Sequence, residues 1–237
     1  MDAEYAREIG RAGDAMRRWI EPATVSIAVD LGSRDGWAAL ALGRLFPNAR
    51  VFAFECNPDA IPICRAAVEG HDRVSLVECA VSDRDGEVDF YAIDPVATRT
   101  PHADGNIGAS SLFLANPEYP NERYVQRRIT VPSVTLQSWA ARENLSRIDV
   151  LWMDLQGAEL LALHGLGGML ASVSVIYTEV AHRAMYIGQP LFPELDAFLN
   201  RNGFVRRESM YADEWLGIEL YVRASLQKRP WWKRWRD

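Results

Sequence analysis

The sequence has few cysteines and no excess of basic residues, and both shortages exclude classes of protein. The three cysteines, Cys56, Cys64 and Cys79, are an odd number without a CxxC pair, so neither a disulfide framework nor a zinc ribbon is expected. The 26 lysines and arginines are outnumbered by 32 acidic residues, which disfavours a nucleic-acid partner. The cysteine usage predicts an intracellular protein, and we expect a cytoplasmic location.

Long hydrophobic runs are also missing. No apolar stretch approaches the roughly 18 residues of a membrane-spanning helix. We therefore expect no transmembrane segment. Acidic residues and arginines run through the start of the chain, which is unlike the pattern of a signal peptide. What the chain does contain is a globular composition: 49% of its 237 residues are hydrophobic and 24% are charged, which is enough apolar surface for a large core.

The apolar residues form runs that alternate with helical patterns. Runs at 25–31, 50–56 and 74–80 suit strands that are buried on both faces, and helical spacing separates them. This order predicts a Rossmann-like, doubly wound α/β fold. The expected sheet is mostly parallel and seven-stranded, with helices on both faces. Its remaining strand patterns lie at 149–154, 173–180, 204–208 and 219–222, the last two being candidates for antiparallel strands.

These patterns divide the chain into segments. Residues 1–22 form an amphipathic helix that either covers a cleft or joins two copies in a homo-oligomer, and residues 23–224 form the α/β domain. Within the domain, residues 94–124 are rich in turn-forming residues and are expected to form a long loop that walls a substrate site. The tail, 225–237, interleaves basic residues with tryptophan. That composition favours weak contact with an anionic membrane surface or an acidic partner, or packing on the domain.

A glycine-rich turn follows the first strand. Asp30, Gly32 and Gly36 form a D-x-G-x-x-x-G pattern between strand and helix, where glycine lets the backbone turn sharply and approach a ligand. The N-terminus of the next helix favours anionic groups. Ser33 and Arg34 break the G-x-G-x-x-G spacing of dinucleotide-binding proteins.

A carboxylate ends the second strand. Glu55 stands where an acid can accept hydrogen bonds from the ribose hydroxyls of an adenosine-containing ligand. This placement favours NAD or S-adenosylmethionine over NADP. Ala80, expected at the end of the third strand, leaves room for an adenine, and Cys56 and Val81 are expected to flank the ring.

Two later strands also end in acids. Asp154 closes a central strand, at the sheet edge where ligands bind in open α/β folds. Glu179 and His182 follow the next strand, and these three are our candidates for a general base. Asp154 and Glu179 could instead hold Mg²⁺, although two carboxylates are too few to assign a metal site. Glu159 is interpreted as an acid that complements a helix dipole.

Together these blocks resemble the FkbM-type methyltransferases, a class I family that depends on S-adenosylmethionine. The resemblance covers roughly residues 25–205. Cys56 replaces a proline of the family pattern and Trp152 replaces a lysine. The matching positions are Asp30, Gly32 and Gly36; the AFECNP strand; Ala80, Val81, Ser82 and Gly86; Gly108 to Leu112; Asp154, Gln156, Gly157 and Glu159; and Thr178 with Glu179.

The resemblance implies a class I methyltransferase fold and methyl transfer to a small-molecule or glycan acceptor. In such families the acceptor atom is usually an oxygen of a sugar, a polyketide or a related metabolite. The cofactor-binding residues it points to are Asp30, Gly32, Ser33, Gly36, Glu55, Cys56, Ala80, Val81, Ser111 and Asp154; Ser110 and Phe113 are expected nearby.

Two other functions stay open at the level of sequence. A catalytically silent binding module on the same fold is favoured by Trp152 and by the first turn, in which Ser33, Arg34 and Asp35 replace the usual residues of the family pattern. An NAD-dependent oxidoreductase would need a G-x-G-x-x-G turn and a Tyr-x-x-x-Lys or comparable site, and the sequence has neither.

Overall fold

The computed structural model describes residues 3–228, with side chains from residue 7 onward. The helices are α1 (Ala3–Arg17), α2 (Trp37–Leu45), α3 (Ile61–Val68), α4 (Leu136–Arg142), α5 (Glu159–Gly165) and α6 (Phe192–Arg201). The strands are β1 (Ile27–Leu31), β2 (Arg50–Phe54), β3 (Val74–Val77), β4 (Ala80–Val81), β5 (Gly86–Ile93), β6 (Gln126–Val134), β7 (Val150–Met153), β8 (Val175–Ala181), β9 (Phe204–Ala212) and β10 (Leu216–Arg223). Three 3-10 helices lie at Pro22–Thr24, Ile107–Ala109 and Gly167–Ser172.

The main sheet has seven strands in the order β3-β2-β1-β7-β8-β10-β9. The first five are parallel, and β10 runs antiparallel to both β8 and β9. Every residue of β1 and β7 is buried, because apolar side chains on alternating sides meet helices on both faces. The predicted class and strand count are confirmed.

Two hydrophobic layers flank the sheet. One joins the sheet to α1, α2 and α3 and includes Met16, Leu42 and Trp152. The other joins it to α4, α5 and α6 and includes Trp139 and Leu163. Among the described residues no helix is long and apolar enough to cross a membrane.

The third predicted strand, 74–80, is wrong in its extent. The chain leaves the main sheet after Val77, where the Cys79 N–H donates to the Val77 carbonyl at 3.1 Å and closes a tight turn. Ala80–Val81 then forms β4, which belongs to a separate three-stranded sheet in the order β4-β6-β5. Ala80 therefore opens a new strand instead of ending the third one.

The segment 94–124 is held in place by its own backbone and by the neighbouring sheet. Isolated bridges pair Arg99 with Arg123 and Ala115 with Tyr186. The Asn57 side-chain amide donates to the Ile107 carbonyl at 3.3 Å and to Ser110 Oγ at 3.0 Å. These bonds fix the segment as a wall beside the carboxyl ends of the strands.

The two ends of the chain differ in what the structure describes. Near the start, α1 packs on the main sheet, and the Tyr177 hydroxyl donates to Glu8 at 3.1 Å. At the other end, Lys228 Nζ lies 5.9 Å from the ring centre of Trp19. The expected membrane or acidic-partner contact of the tail concerns mainly residues 229–237, which lie outside the described residues.

The three cysteines are free thiols.

Candidate active site

A cavity of about 370 Å³ lies at the carboxyl ends of the parallel strands. Its inner wall contains Glu55 after β2, Asp154 after β7 and Glu179 near the end of β8. The segment 94–124 supplies the opposite wall: His102, Asn106, Ile107, Gly108, Ala109, Ser110, Leu112, Tyr119, Glu122 and Tyr124. The predicted loop thus encloses the site, and the strand ends meet there because parallel strands present their carboxyl ends at one edge.

The glycine turn after β1 is shaped by the chain itself. Gly32 has φ +83°, and a Cβ added there would overlap the carbonyl oxygen of Asp154. Asp30 is fully buried and accepts a 2.6 Å hydrogen bond from Ser33 Oγ, and burial raises its pKa to about 7. Gly32 lines the cavity, whereas Asp30, Ser33 and Gly36 lie behind it. These three therefore support the cavity wall from behind.

Arg34 occupies the departure from the family pattern in this turn. Its guanidinium forms an ion pair with Asp104 and lies against Gly108, so it joins the turn to the opposite wall. Its backbone, at φ +49°, is in the left-handed region. Sequence reasoning marked the departure but gave no signal for this link, because Asp104 is 70 residues away.

Glu55 is held by main-chain donors. Its carboxylate accepts N–H bonds from Arg34 at 2.7 Å, Cys56 at 2.8 Å and Asn57 at 2.7 Å. Burial raises its pKa, and the three amides oppose that rise. Asn57 was missed by sequence reasoning, although its place directly after Glu55 and Cys56 is a usable signal.

The surroundings of Glu55 fit an adenosine. Cys56, Ala80 and Val81 line this end of the cavity, as predicted, together with Phe90 and Leu112. A fixed carboxylate beside small and apolar side chains suits a ribose next to a flat heterocycle. The residues present therefore fit the cofactor that the sequence suggested.

At the other end, Asp154 and Glu179 are linked by one amide. Gln156 Nε2 donates to Asp154 Oδ1 at 2.6 Å and to Glu179 Oε2 at 3.4 Å. The cavity surroundings raise the pKa of Asp154, while the Gln156 bond and the Arg34 charge lower it. Burial and the nearby Asp154 charge raise the pKa of Glu179 well above its ordinary value. Because the amide bond to Asp154 is the shorter one and the Arg34 charge acts on Asp154, Asp154 is the better-stabilised anion of the pair.

Glu159 shapes the turn that carries Gln156. Its carboxylate accepts N–H bonds from Leu155 at 2.8 Å and Gly157 at 3.3 Å. It is buried behind the cavity, and burial raises its pKa to about 7. It acts on the turn by direct hydrogen bonds, in addition to the expected interaction with the helix dipole.

His182 lies outside the cavity. Its ring packs edge-on against Phe192, with ring centres 5.4 Å apart. The main-chain N–H of His182 donates to the Trp215 carbonyl at 2.7 Å. Both contacts draw the residue toward α6 and β10, away from Asp154. The geometry gives no support to His182 as a base.

The two serines of segment 94–124 bind the protein's own backbone. Ser111 is buried, and its hydroxyl donates to the Gln156 carbonyl at 2.7 Å. Ser110 lines the cavity and donates to the Ile107 carbonyl at 2.7 Å. The predicted cofactor residue Ser111 therefore ties the loop to the turn instead of facing the cavity, and Phe113 also lies outside the lining.

Trp152 does not reach the cavity. Its ring packs on Tyr177, with centres 4.0 Å apart, in the layer beneath α1 and α2. It instead lines a second, shallower cavity against those helices. Trp152 therefore takes no part in lining the cavity at the strand ends.

The described residues contain no group of three or more His, Cys, Asp or Glu side chains arranged to hold a metal ion. Asp154 and Glu179 are bridged by an amide, which supplies the positive contact that a cation would otherwise provide. Mg²⁺ is not supported.

Residues 30–206 match the Methyltransferase FkbM domain. The chain belongs to the FkbM methyltransferase family. A 2-O-methyltransferase, NoeI, from Sinorhizobium fredii is 34% identical over 172 residues, which cover 72% of this chain and 70% of that protein. The resemblance seen in the sequence is confirmed, and the protein is an S-adenosylmethionine-dependent methyltransferase.

Similarity to solved structures extends to the fold alone. The fibrillarin pre-rRNA processing protein of Methanococcus jannaschii is 10% identical with a TM-score of 0.51, covering 91% of this chain and 74% of that one. Cofactor-bound Rv0187 from MTB is 11% identical with a TM-score of 0.51, covering 94% and 81%. For this FkbM methyltransferase the shared feature is therefore the overall fold.

Proposed function

We propose that this FkbM methyltransferase transfers a methyl group to a hydroxyl of a small-molecule or glycan acceptor. One observation carries the proposal: a single cavity joins the adenosine-compatible end at Glu55 to the carboxylates Asp154 and Glu179. Such a cavity suits cofactor and acceptor side by side. The similarity to a 2-O-methyltransferase supports oxygen as the accepting atom.

Glu55 is the proposed contact for the cofactor ribose. Its two oxygens are held by main-chain N–H groups, so the carboxylate needs no reorganisation when it accepts ribose hydroxyls. S-adenosylmethionine, when bound, supplies an electrophilic methyl group on a sulfonium. Ala80 and Val81 leave space for the adenine at the same end.

Asp154 is the proposed general base. Asp154 takes the shorter bond from Gln156 Nε2, 2.6 Å against 3.4 Å to Glu179, and the Arg34 charge acts on it, so the pair keeps its negative charge on Asp154 and its proton on Glu179. An ionised Asp154 accepts the proton of the acceptor hydroxyl, and a protonated Glu179 donates a hydrogen bond that orients the acceptor. General bases of this kind contribute about 10²–10⁴-fold to rate.

The cavity charge favours an uncharged or cationic acceptor. Its described lining includes the carboxylates Glu55, Glu122 and Asp154, besides a protonated Glu179, against one guanidinium, Arg34, which is already paired with Asp104. A phosphate or carboxylate on the acceptor would be repelled there. Tyr119 and Tyr124 also line the cavity and stack on each other, with ring centres 5.9 Å apart, so the wall that a sugar-like acceptor would meet is partly aromatic.

The test is a methyl-transfer assay with isotopically labelled S-adenosylmethionine. Neutral methyl glycosides and amino sugars are each compared with their phosphorylated counterparts, and product spectra locate the methyl group. We expect O-methylated product from neutral or cationic acceptors only. Weak or absent S-adenosylhomocysteine binding, without turnover on any acceptor, would favour the silent module, and preference for phosphorylated acceptors would contradict the charge argument.

A further inference from the structure

Gln156 has an unusual backbone conformation and lies between two carboxylates. Its φ of +52° lies in the left-handed region, which costs a residue with a Cβ about 1 kcal/mol or more. The conformation is held by Ser111, whose hydroxyl donates to the Gln156 carbonyl at 2.7 Å. The strained turn aims the Gln156 side chain at Asp154 and Glu179.

The orientation of that side chain is fixed from its other end. The Tyr186 hydroxyl lies 2.7 Å from Gln156 Oε1 and 2.8 Å from the Ala109 carbonyl, and its proton is shared between the two acceptors. Tyr186 is completely buried, and Gln189 Oε1 accepts its N–H at 2.6 Å. If the amide turned over, its oxygen would face the carboxylates, so the carboxylates select the orientation in which Oε1 accepts from the Tyr186 hydroxyl.

We propose that Tyr186 is a positioning residue whose hydroxyl fixes the Gln156 amide so that its N–H group donates to Asp154 and Glu179. Because Ala109 belongs to the 94–124 wall, the same hydroxyl also ties that wall to the two carboxylates. The catalytic consequence rests on the proposed function, whereas the hydrogen-bond role does not.

The proposal predicts in which direction the titration of the two carboxylates moves when the hydroxyl is removed. A fixed N–H donor stabilises the ionised carboxylates, so loss of the Tyr186 hydroxyl raises the pH at which the pair titrates. Among the described residues, other charged or titratable groups that act on Asp154, Glu179 or both are Glu8, Asp30, Arg34, Glu55, Tyr119, Tyr124 and Glu159. Tyr186→Phe removes none of them, so a shift reports the amide.

The experiment compares Tyr186→Phe with Tyr221→Phe. Tyr221 is also completely buried, and its hydroxyl donates to Asp196 at 2.7 Å, outside the cavity. Carboxyl carbon NMR titration of the full chain measures the Asp154 and Glu179 midpoints without any acceptor. We expect an upward shift of about one pH unit in Tyr186→Phe and none in Tyr221→Phe. The acid limb of the methylation rate should move by the same amount.

Each outcome decides the matter. An unchanged titration in a folded Tyr186→Phe protein would reduce Tyr186 to a packing residue and overturn the proposal. If that variant does not fold, Gln156→Met removes the amide itself and must raise the midpoint, otherwise the proposal fails. A shifted titration in a protein that methylates no hydroxyl would reject the proposed function while keeping the positioning role.

Discussion

The two ends of the cavity hold their carboxylates by different means. Glu55 is fixed by three main-chain N–H groups, two of them within two residues of it. Asp154 and Glu179 are joined by the side chain of Gln156, which in turn depends on Tyr186, 30 residues further along. The first arrangement is mostly local, and the second needs three segments of chain to meet, around Gln156, Glu179 and Tyr186.

This difference has a chemical consequence. Main-chain donors cannot rotate away, so they suit a binding group that keeps one state. A side-chain amide between two interacting carboxylates leaves their proton affinities adjustable by single substitutions. We therefore expect changes at Glu55 to alter cofactor affinity, and changes near Asp154 to alter the rate and its pH dependence.

The largest expected effect is at the transfer end. Asp154→Asn should lower kcat about 100-fold or more, because the base is lost while the shape is kept. Glu179→Gln should cost only about tenfold, because an amide still donates a hydrogen bond. Single-turnover rates check both. A greater loss in Glu179→Gln would reverse the two assigned roles.

Gly32 tests the junction between the two ends. Gly32→Ala should lower the free energy of unfolding by about 3 kcal/mol or more, because its Cβ would overlap the Asp154 carbonyl. Gly70→Ala is the matched control, since its φ is +77° but nothing lies within 4 Å of the added carbon. It should cost only about 1 kcal/mol in urea denaturation. Equal losses would refute the close contact.

At the adenosine end, Glu55→Ala should weaken S-adenosylhomocysteine binding about 30-fold or more in calorimetry, through lost hydrogen bonds to the ribose. Glu78→Ala removes a nearby acid whose partner is Arg65 on the surface, and its affinity should match the wild type. Undiminished binding in a folded Glu55→Ala protein would remove Glu55 from the cofactor site.

The last expected effect concerns stability and pH. Asp30 has a pKa of about 7 in the folded protein against 3.8 without burial, so the folded state holds the proton more tightly. Its contribution to stability therefore falls as pH rises from about 4 to about 7, by about 1.4 kcal/mol per pH unit at most.

Asp30→Asn should flatten that decline in urea denaturation. Asp85 is the control of opposite sign, because hydrogen bonds from Ser138 and Thr135 lower its pKa. Asp85→Asn should remove stability that is present only above its ordinary pKa. An unchanged slope in Asp30→Asn would show that Asp30 is not the titrating group.

Local patterns were enough to place the central strands of the main sheet, the glycine turn and Glu55. Apolar runs identify buried strands, and an acid directly after such a run lies at the carboxyl edge. The position of Ala80 was predicted wrongly because the turn at Cys79 depends on a main-chain hydrogen bond, which no particular residue type indicates in the sequence. His182 was expected in the cavity because it lies close to Glu179 in the sequence. Its contacts with Phe192 and Trp215, which place it outside the cavity, cannot be read from that proximity.

The sequence by itself determined the α/β class and the acids at the strand ends, because these follow from periodicity and from residues close together in the chain. The family entered through the resemblance of its motifs to the FkbM methyltransferases. Only the tertiary structure decided which acids share a cavity, that Trp152 faces away from it, and that Gln156 is oriented by Tyr186. Those features arise where segments distant in sequence pack together, and side-chain direction there is set by contacts that no local pattern encodes.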